Sequence, residues 1–228
     1  LSEIILAAKN LLYRRRGGDR YEPEPFCRDP AGEIYTGLIA DFDGDGMADF
    51  MCEQSRGLVL FKSSPQGTFD QPGRLAWSPP ARLNNVMALT CGDIDHDGDL
   101  DVFLGQYKVP TLGQILRPNY YDANDSHPAY LLLNNGQGGF TDATVAAGLE
   151  KKRRRRIFSA SFVDLNDDRN LDLLVVSDFA GVDLYRNDGR GRFTALGRRS
   201  MPTFGLTTST RCRPTFAGRT PWRRVAAA

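Results

Sequence analysis

Residues 41–54 read DFDGDGMADFMCEQ, and the reading of this stretch decides the fold. Its first nine residues place carboxylates at loop positions 1, 3, 5 and 9, which are Asp41, Asp43, Asp45 and Asp49. Gly46 stands at position 6, where the chain must fold back, and the Met47 carbonyl is free to serve at position 7. Hard oxygen ligands at alternate positions of a short loop are the pattern that wraps calcium. Asp, Asn and Gly also form ordinary turns, but four carboxylates this close repel one another unless a cation joins them.

The stretch recurs. Residues 93–106 read DIDHDGDLDVFLGQ and offer Asp93, Asp95, Asp97 and Asp101, with the Asp99 carbonyl at position 7 and Gly98 at position 6. Residues 164–177 read DLNDDRNLDLLVVS and offer Asp164, Asn166, Asp168 and Asp172, with the Asn170 carbonyl at position 7. This third copy carries Arg169 in place of the glycine, so its turn is harder to make and its site is expected to be weaker.

A second element follows each loop: LVLFKSSPQGTFD, YLLLNNGQGGFTD and VDLYRNDGRGRFT. A further copy, LLYRRRGGDRYE at 11–22, has no acidic loop before it, so the chain opens halfway through a repeat. From the first Asp of each loop to the aromatic of the second element (Phe69, Phe140, Phe193) the spacings are 28, 47 and 29 residues. The unit is therefore about 50 residues long, and its middle copy carries an insertion at 107–127. Short apolar runs bounded by Gly, Asn and Asp read as strands, and NNGQGG and NDGRGR read as hairpin turns. The runs are apolar at nearly every position, as strands are when both faces of their sheet are covered. Repeated four-stranded sheets of this kind are propeller blades.

An EF-hand shares the first loop positions but requires a bidentate Glu at position 12 between helices. Here position 12 is Cys52, Leu104 or Val175, each inside a strand-like run, which excludes that motif. The three loops and the LYRNDGRGRF element instead resemble the FG-GAP, or VCBS-type, repeats of integrin alpha-chain propellers and secreted bacterial proteins. The resemblance covers about 11–196. It implies an all-β fold, a partial propeller of three to four blades, in which each loop joins the first two strands of a blade and holds a structural Ca2+ ion. It also implies a ring of seven blades, which three loops and a half repeat cannot close, so an open fragment is expected. The expected blades start near 35, 87 and 158, with a half blade at 11–22.

The whole chain of 228 residues carries 29 Lys plus Arg against 28 Asp plus Glu, yet the balance of +1 hides a split. From Gly191 onward there are eight Arg and no acid, leaving the preceding 190 residues with 21 bases and 28 acids. Eleven Asp and one Asn make up the loop side-chain ligands, so much of the body's acidity stands where cations belong. The segment 197–228 is Arg-rich and lacks the acidic loop due near Ala217; an aberrant or misread C-terminus is the expectation there.

No run approaches the roughly 18 apolar residues of a membrane span, and residues 1–12 do not read as a signal peptide. Cys27, Cys52, Cys91 and Cys212 show no CxxC spacing, which argues against zinc and leaves disulfide pairing open. The basic run KKRRRR, from Lys151 to Arg156, reads as a solvated loop, with an acidic-polymer patch as the alternative. His96 and His127 pair with no nucleophile, and no catalytic triad, phosphate loop or HExxH helix is present. Tyr107, Tyr120 and Tyr121 in the insertion offer either a binding surface or a decorative loop. Together these features point to a non-enzymatic, calcium-binding scaffold of an extracellular, periplasmic or cell-surface protein that mediates adhesion by binding a protein or glycan. The alternative is a pocket-bearing propeller of a secreted polysaccharide-active enzyme.

Overall fold

The first two acidic loops lead into strands in which every residue is buried, and the third into a strand that alternates buried with partly exposed residues. In the computed structural model, which describes residues 3–28, 34, 36–109, 111–112, 115–116 and 121–197, these strands lie inside antiparallel four-stranded sheets. The first sheet runs in chain order through β4 (Gly37–Ala40), β5 (Asp49–Gln54), β6 (Gly57–Phe61) and β7 (Arg74–Trp77). The second comprises β8 (Val86–Gly92), β9 (Asp101–Gln106), β12 (Tyr130–Asn134) and β13 (Phe140–Asp142), again with neighbours in chain order. The third is β14 (Arg156–Val163), β15 (Asp172–Asp178), β16 (Gly181–Asn187) and β17 (Phe193–Ala195). Before them stands a three-stranded sheet of β1 (Ile4–Leu6), β2 (Leu11–Gly17) and β3 (Arg20–Pro25). A short ribbon, β10 (Thr111–Leu112) with β11 (Ile115–Leu116), lies in the insertion. The fold is all-β and is that of a partial propeller. Among the described residues the only helical segments are two 3-10 turns, Ala7–Lys9 and Glu150–Lys152.

The period of a strand explains why these runs are continuously apolar. Successive side chains point to opposite faces, so a strand between two neighbours feeds two cores in alternation. On β5, Met51 packs with Leu58, Leu60, Trp77, Val102, Leu104 and Leu132, in the core between the first and second sheets. Its neighbours Phe50 and Cys52 turn the other way, to Leu12, Phe26, Val59 and Phe61, against the N-terminal sheet. On β9, Val102 and Leu104 face the first sheet, whereas Phe103 faces Ile157, Leu173, Val175 and Tyr185 of the third. All six residues of β5 and all six of β9 are buried.

One blade departs from the repeat. Phe140 and Phe193 open the fourth strands of their sheets, but Phe69 instead makes an isolated parallel bridge to Cys27, and the Arg28 amide donates to its carbonyl at 2.9 Å. The fourth strand of the first sheet follows at Arg74–Trp77. Gly57 is needed beside it: its φ is +148°, and a Cβ there would stand 1.9 Å from the Trp77 carbonyl oxygen. Cys27, Cys52 and Cys91 are free thiols, and burial pushes the Cys27 thiol up to about 11. The Arg-rich segment, with Cys212, lies outside the described residues apart from Gly197.

Adjacent sheets are also joined by buried amides. Asn134, the last residue of β12, donates through Nδ2 to Leu100 O of its own loop at 3.1 Å and to Phe42 O of the preceding loop at 2.9 Å. Asn187, at the end of β16, repeats the arrangement with Leu171 O at 3.1 Å and Ile94 O at 2.7 Å. A buried carbonyl left without its donor costs about 1–3 kcal/mol. Asn134→Ala is therefore expected to lower the melting temperature by several degrees; an unchanged melting curve would show that the latch contributes nothing.

Candidate metal centres

The three acidic loops share one hydrogen-bond frame. At position 1, Asp41, Asp93 and Asp164 accept the amide of position 6 (Gly46, Gly98, Arg169) at 2.8, 3.2 and 2.8 Å. At position 5, Asp45, Asp97 and Asp168 accept the amide of position 7 (Met47, Asp99, Asn170) at 2.9, 2.9 and 2.8 Å. At position 9, Asp49, Asp101 and Asp172 accept the amide of position 2 (Phe42, Ile94, Leu165), each at 3.2 Å. Position 6 takes the left-handed conformation throughout, with φ of +83° at Gly46, +94° at Gly98 and +71° at Arg169. A side chain pays for that conformation at Arg169, whereas glycine does not.

This frame gathers some of the sequence candidates and turns others aside. Carboxylate oxygens of Asp41, Asp43 and Asp49 lie within 4.8 Å of one another, as do those of Asp93, Asp95 and Asp101. Positions 1, 3 and 9 thus converge, while at position 5 one oxygen each of Asp45 and Asp97 is taken by a backbone amide. Within these clusters Asp43 Oδ1, Asp49 Oδ1, Asp93 Oδ1 and Asp95 Oδ1 are buried with no hydrogen-bond partner. Buried carboxylate oxygens without partners are costly. An all-oxygen donor set of this kind suits a hard divalent cation.

The third loop does not form such a cluster among the described residues. Asp164 is drawn onto the amides of Asn166, Asp168 and Arg169 at 3.2, 3.2 and 2.8 Å. Asn166 Nδ2 donates to Asp168 Oδ2 at 2.9 Å. The Asn170 side chain reaches out of the loop, its Oδ1 lying 2.9 Å from His96 Nε2, so exposed His96 links the second loop to the third.

Asp101 is almost fully buried, and its two oxygens accept the Ile94 and Asn134 amides at 3.2 and 2.9 Å. Burial pushes its carboxyl up to about 7, the two amides opposing the rise and Asp95 and Asp97 adding to it. Burial likewise raises Asp49, again against the Phe42 amide, and Asp95, where neighbouring Asp97 adds repulsion.

The basic run departs from the solvated loop expected of it. Arg155 is 2% exposed, with Nε 3.0 Å from Asp183 Oδ2 and Nη2 2.6 Å from Asp122 Oδ1. Arg156, also 2% exposed, grips Asp125 with two bonds of 2.8 Å. Lys152 pairs with Asp183, and Arg153 lies over the Tyr130 ring at 5.0 Å. Asp122 and Asp125 belong to the insertion, so Arg155 and Arg156 clamp the insertion's far end. Tyr107 holds the near end: its hydroxyl lies 3.0 Å from Asp178 Oδ2, and its ring stacks on Phe158. Tyr121 is exposed, and Tyr120 lies outside the described residues.

Residues 41–104 match the family model for the FG-GAP-like repeat. This part of the chain carries the FG-GAP-like repeat. The match takes in the first two acidic loops and the strands that follow them, the part of the molecule where carboxylates converge. Among solved structures, a lectin of Agrocybe aegerita, titled for its specific recognition of non-reducing terminal N-acetylglucosamine, aligns with a TM-score of 0.53 at 18% identity. The alignment covers 82% of this chain and 45% of the lectin chain, so this chain spans less than half of that protein's length. At this identity the likeness is one of fold. No curated protein matches the chain.

The raised carboxyls have a consequence for stability. A carboxyl whose folded value lies above its unfolded value contributes stability that is present in full below the unfolded value and is lost as pH rises through the folded one. In chelator, the melting temperature is therefore expected to rise as pH is lowered from 8 to 5.5. A fall over that window would contradict the burial assigned to Asp49, Asp95 and Asp101.

Proposed function

We propose that the chain is a calcium-binding propeller scaffold that presents a glycan- or protein-binding surface outside the cytoplasm, and that it acts by binding rather than by catalysis. The observation that carries the metal part is the convergence of Asp41, Asp43 and Asp49, and of Asp93, Asp95 and Asp101, with buried oxygens that no protein donor satisfies. Calcium meets that need, because it accepts many oxygen ligands in a flexible geometry and includes carbonyls and water in its shell. Its role is structural: the ion neutralises the loop, and the loop fixes the start of the second strand of its blade. Asp45, Asp97 and the Met47 and Asp99 carbonyls complete the proposed shells, and the 164–172 loop is proposed as a weaker third site.

The glycan part is supported by the fold shared with the lectin, whose title names a terminal sugar. Extracellular calcium modules bind at about 0.1–1 mM, which suits a protein working where calcium is abundant. The FG-GAP-like match supports the same setting.

Calcium in the millimolar range is expected to raise the melting temperature, and EDTA to lower it. Asp43→Ala and Asp95→Ala should each abolish one bound ion, counted by calorimetric titration. An unchanged melting temperature across the titration would remove the metal assignment. For the ligand, a glycan array probed in calcium and again in EDTA should show retention on a defined terminal sugar that EDTA weakens; retention on no glycan would leave a protein as the partner.

A further inference from the structure

The two carboxylate clusters differ in what overhangs them. In the first loop, Lys62 Nζ lies 2.5 Å from Asp43 Oδ2 and 3.2 Å from Asp45 Oδ2, so an ammonium already bridges positions 3 and 5. Strand register identifies its counterparts. The residue after Asp49 pairs with Phe61, the residue after Asp101 with Leu132, and the residue after Asp172 with Tyr185. One step along the third strand therefore stand Lys62, Leu133 and Arg186. At the corresponding place in the second sheet stands apolar Leu133, packed against the core shared with the third sheet, and among the described residues no cation pairs with the acids of the 93–101 loop.

We infer that the side chain at this strand position sets the cation threshold of the loop it overhangs, so that the 93–101 centre fills at lower calcium than the 41–49 centre, where Lys62 competes with the ion. The inference rests on the calcium reading above. It has support of its own in the geometry. Asp43 offers one oxygen to Lys62 while its other, buried oxygen has no partner, so the ammonium compensates the first cluster only in part. In the second cluster the unpartnered oxygens belong to Asp93 and Asp95.

Calcium entering the first loop must break both Lys62 contacts or accept a positive charge a few ångströms away. The Lys62 side chain is 48% exposed, so it is free to swing into water. That makes it a displaceable competitor rather than a permanent plug. Exposed ion pairs are individually weak, and two of them together with repulsion from a nearby charge should separate the two sites by roughly tenfold in affinity. The device is built from one residue per blade, and a change at that residue retunes one loop without touching a ligand.

Titration calorimetry of the full chain, stripped with chelator and then given calcium chloride, tests this. Besides any weaker event from the 164–172 loop, the two converging loops of the wild-type protein should give two binding events about tenfold apart, the tighter lost in Asp95→Asn and the weaker in Asp43→Asn. Lys62→Leu should tighten the weaker event by roughly tenfold and leave the other in place. Leu133→Lys should do the reverse, weakening the tighter event, while Leu133→Met, which keeps the apolar contact, should change neither. Melting curves in chelator confirm that each variant folds. Two events of equal affinity that neither exchange moves would overturn the inference while leaving calcium binding intact. No calcium bound by any of the proteins would overturn the calcium reading itself, and the inference with it.

Discussion

A buried aspartate at the ninth loop position organises each repeat. Asp49, Asp101 and Asp172 are all about fully buried, and each opens the second strand of its sheet. A carboxylate in that place is tolerable only if its lone pairs are taken. The protein takes them with backbone amides: position 2 of the loop in all three cases, and the amide of Asn134 or Asn187 from the third strand in two. One side chain thereby ties the start of the loop, the second strand and the third strand together. The geometry of positions 1 and 3, and with it the cluster of oxygens, follows from that anchor.

The anchor propagates from sheet to sheet because the residue that feeds it has two ends. The backbone of Asn134 satisfies Asp101, while its side chain reaches the carbonyl of Phe42 in the loop before. Asn187 does the same for Asp172 and Ile94. The first and second loops are thus each held by their own blade and by the next one. Below the loops, the two-residue period of the strands divides the first and second blades between two cores, so these sheets and loops are not independent units.

The repeat length, the strand-rich character, the start of each blade and the carboxylates of the first two loops were legible because each depends on a short local pattern. What escaped was what depends on register between distant segments. Asn134 and Asn187 look like turn residues in NNGQGG and NDGRGR; only their place opposite the preceding loop makes them latches. Lys62 directly follows an apolar run, and nothing local indicates that its ammonium reaches Asp43 some twenty residues earlier. KKRRRR suggested a solvated loop because the acids that bury it, Asp122, Asp125 and Asp183, lie roughly thirty residues away on either side. Arg169 was readable in part: its replacement of glycine marked the third loop as the strained one, and the backbone there is left-handed.

These pairings sort the body's acidic charge into two populations. Outside the loops, carboxylates meet cations: Glu3 and Glu24 meet Arg14, Glu22 meets Arg16 and Arg20, and Asp142, Asp122, Asp125 and Asp183 meet the 151–156 run. Inside the two converging loops the only such partner among the described residues is Lys62. Pairing satisfies the first population within the protein, and the same strategy is absent from Asp93, Asp95 and Asp101. A fold that pairs so many of its other acids, yet gathers these three, leaves a buried oxygen of Asp93 and of Asp95 with no partner in the protein. The excess of acid over base in the body is therefore better read as a property of two small sites than as an acidic surface.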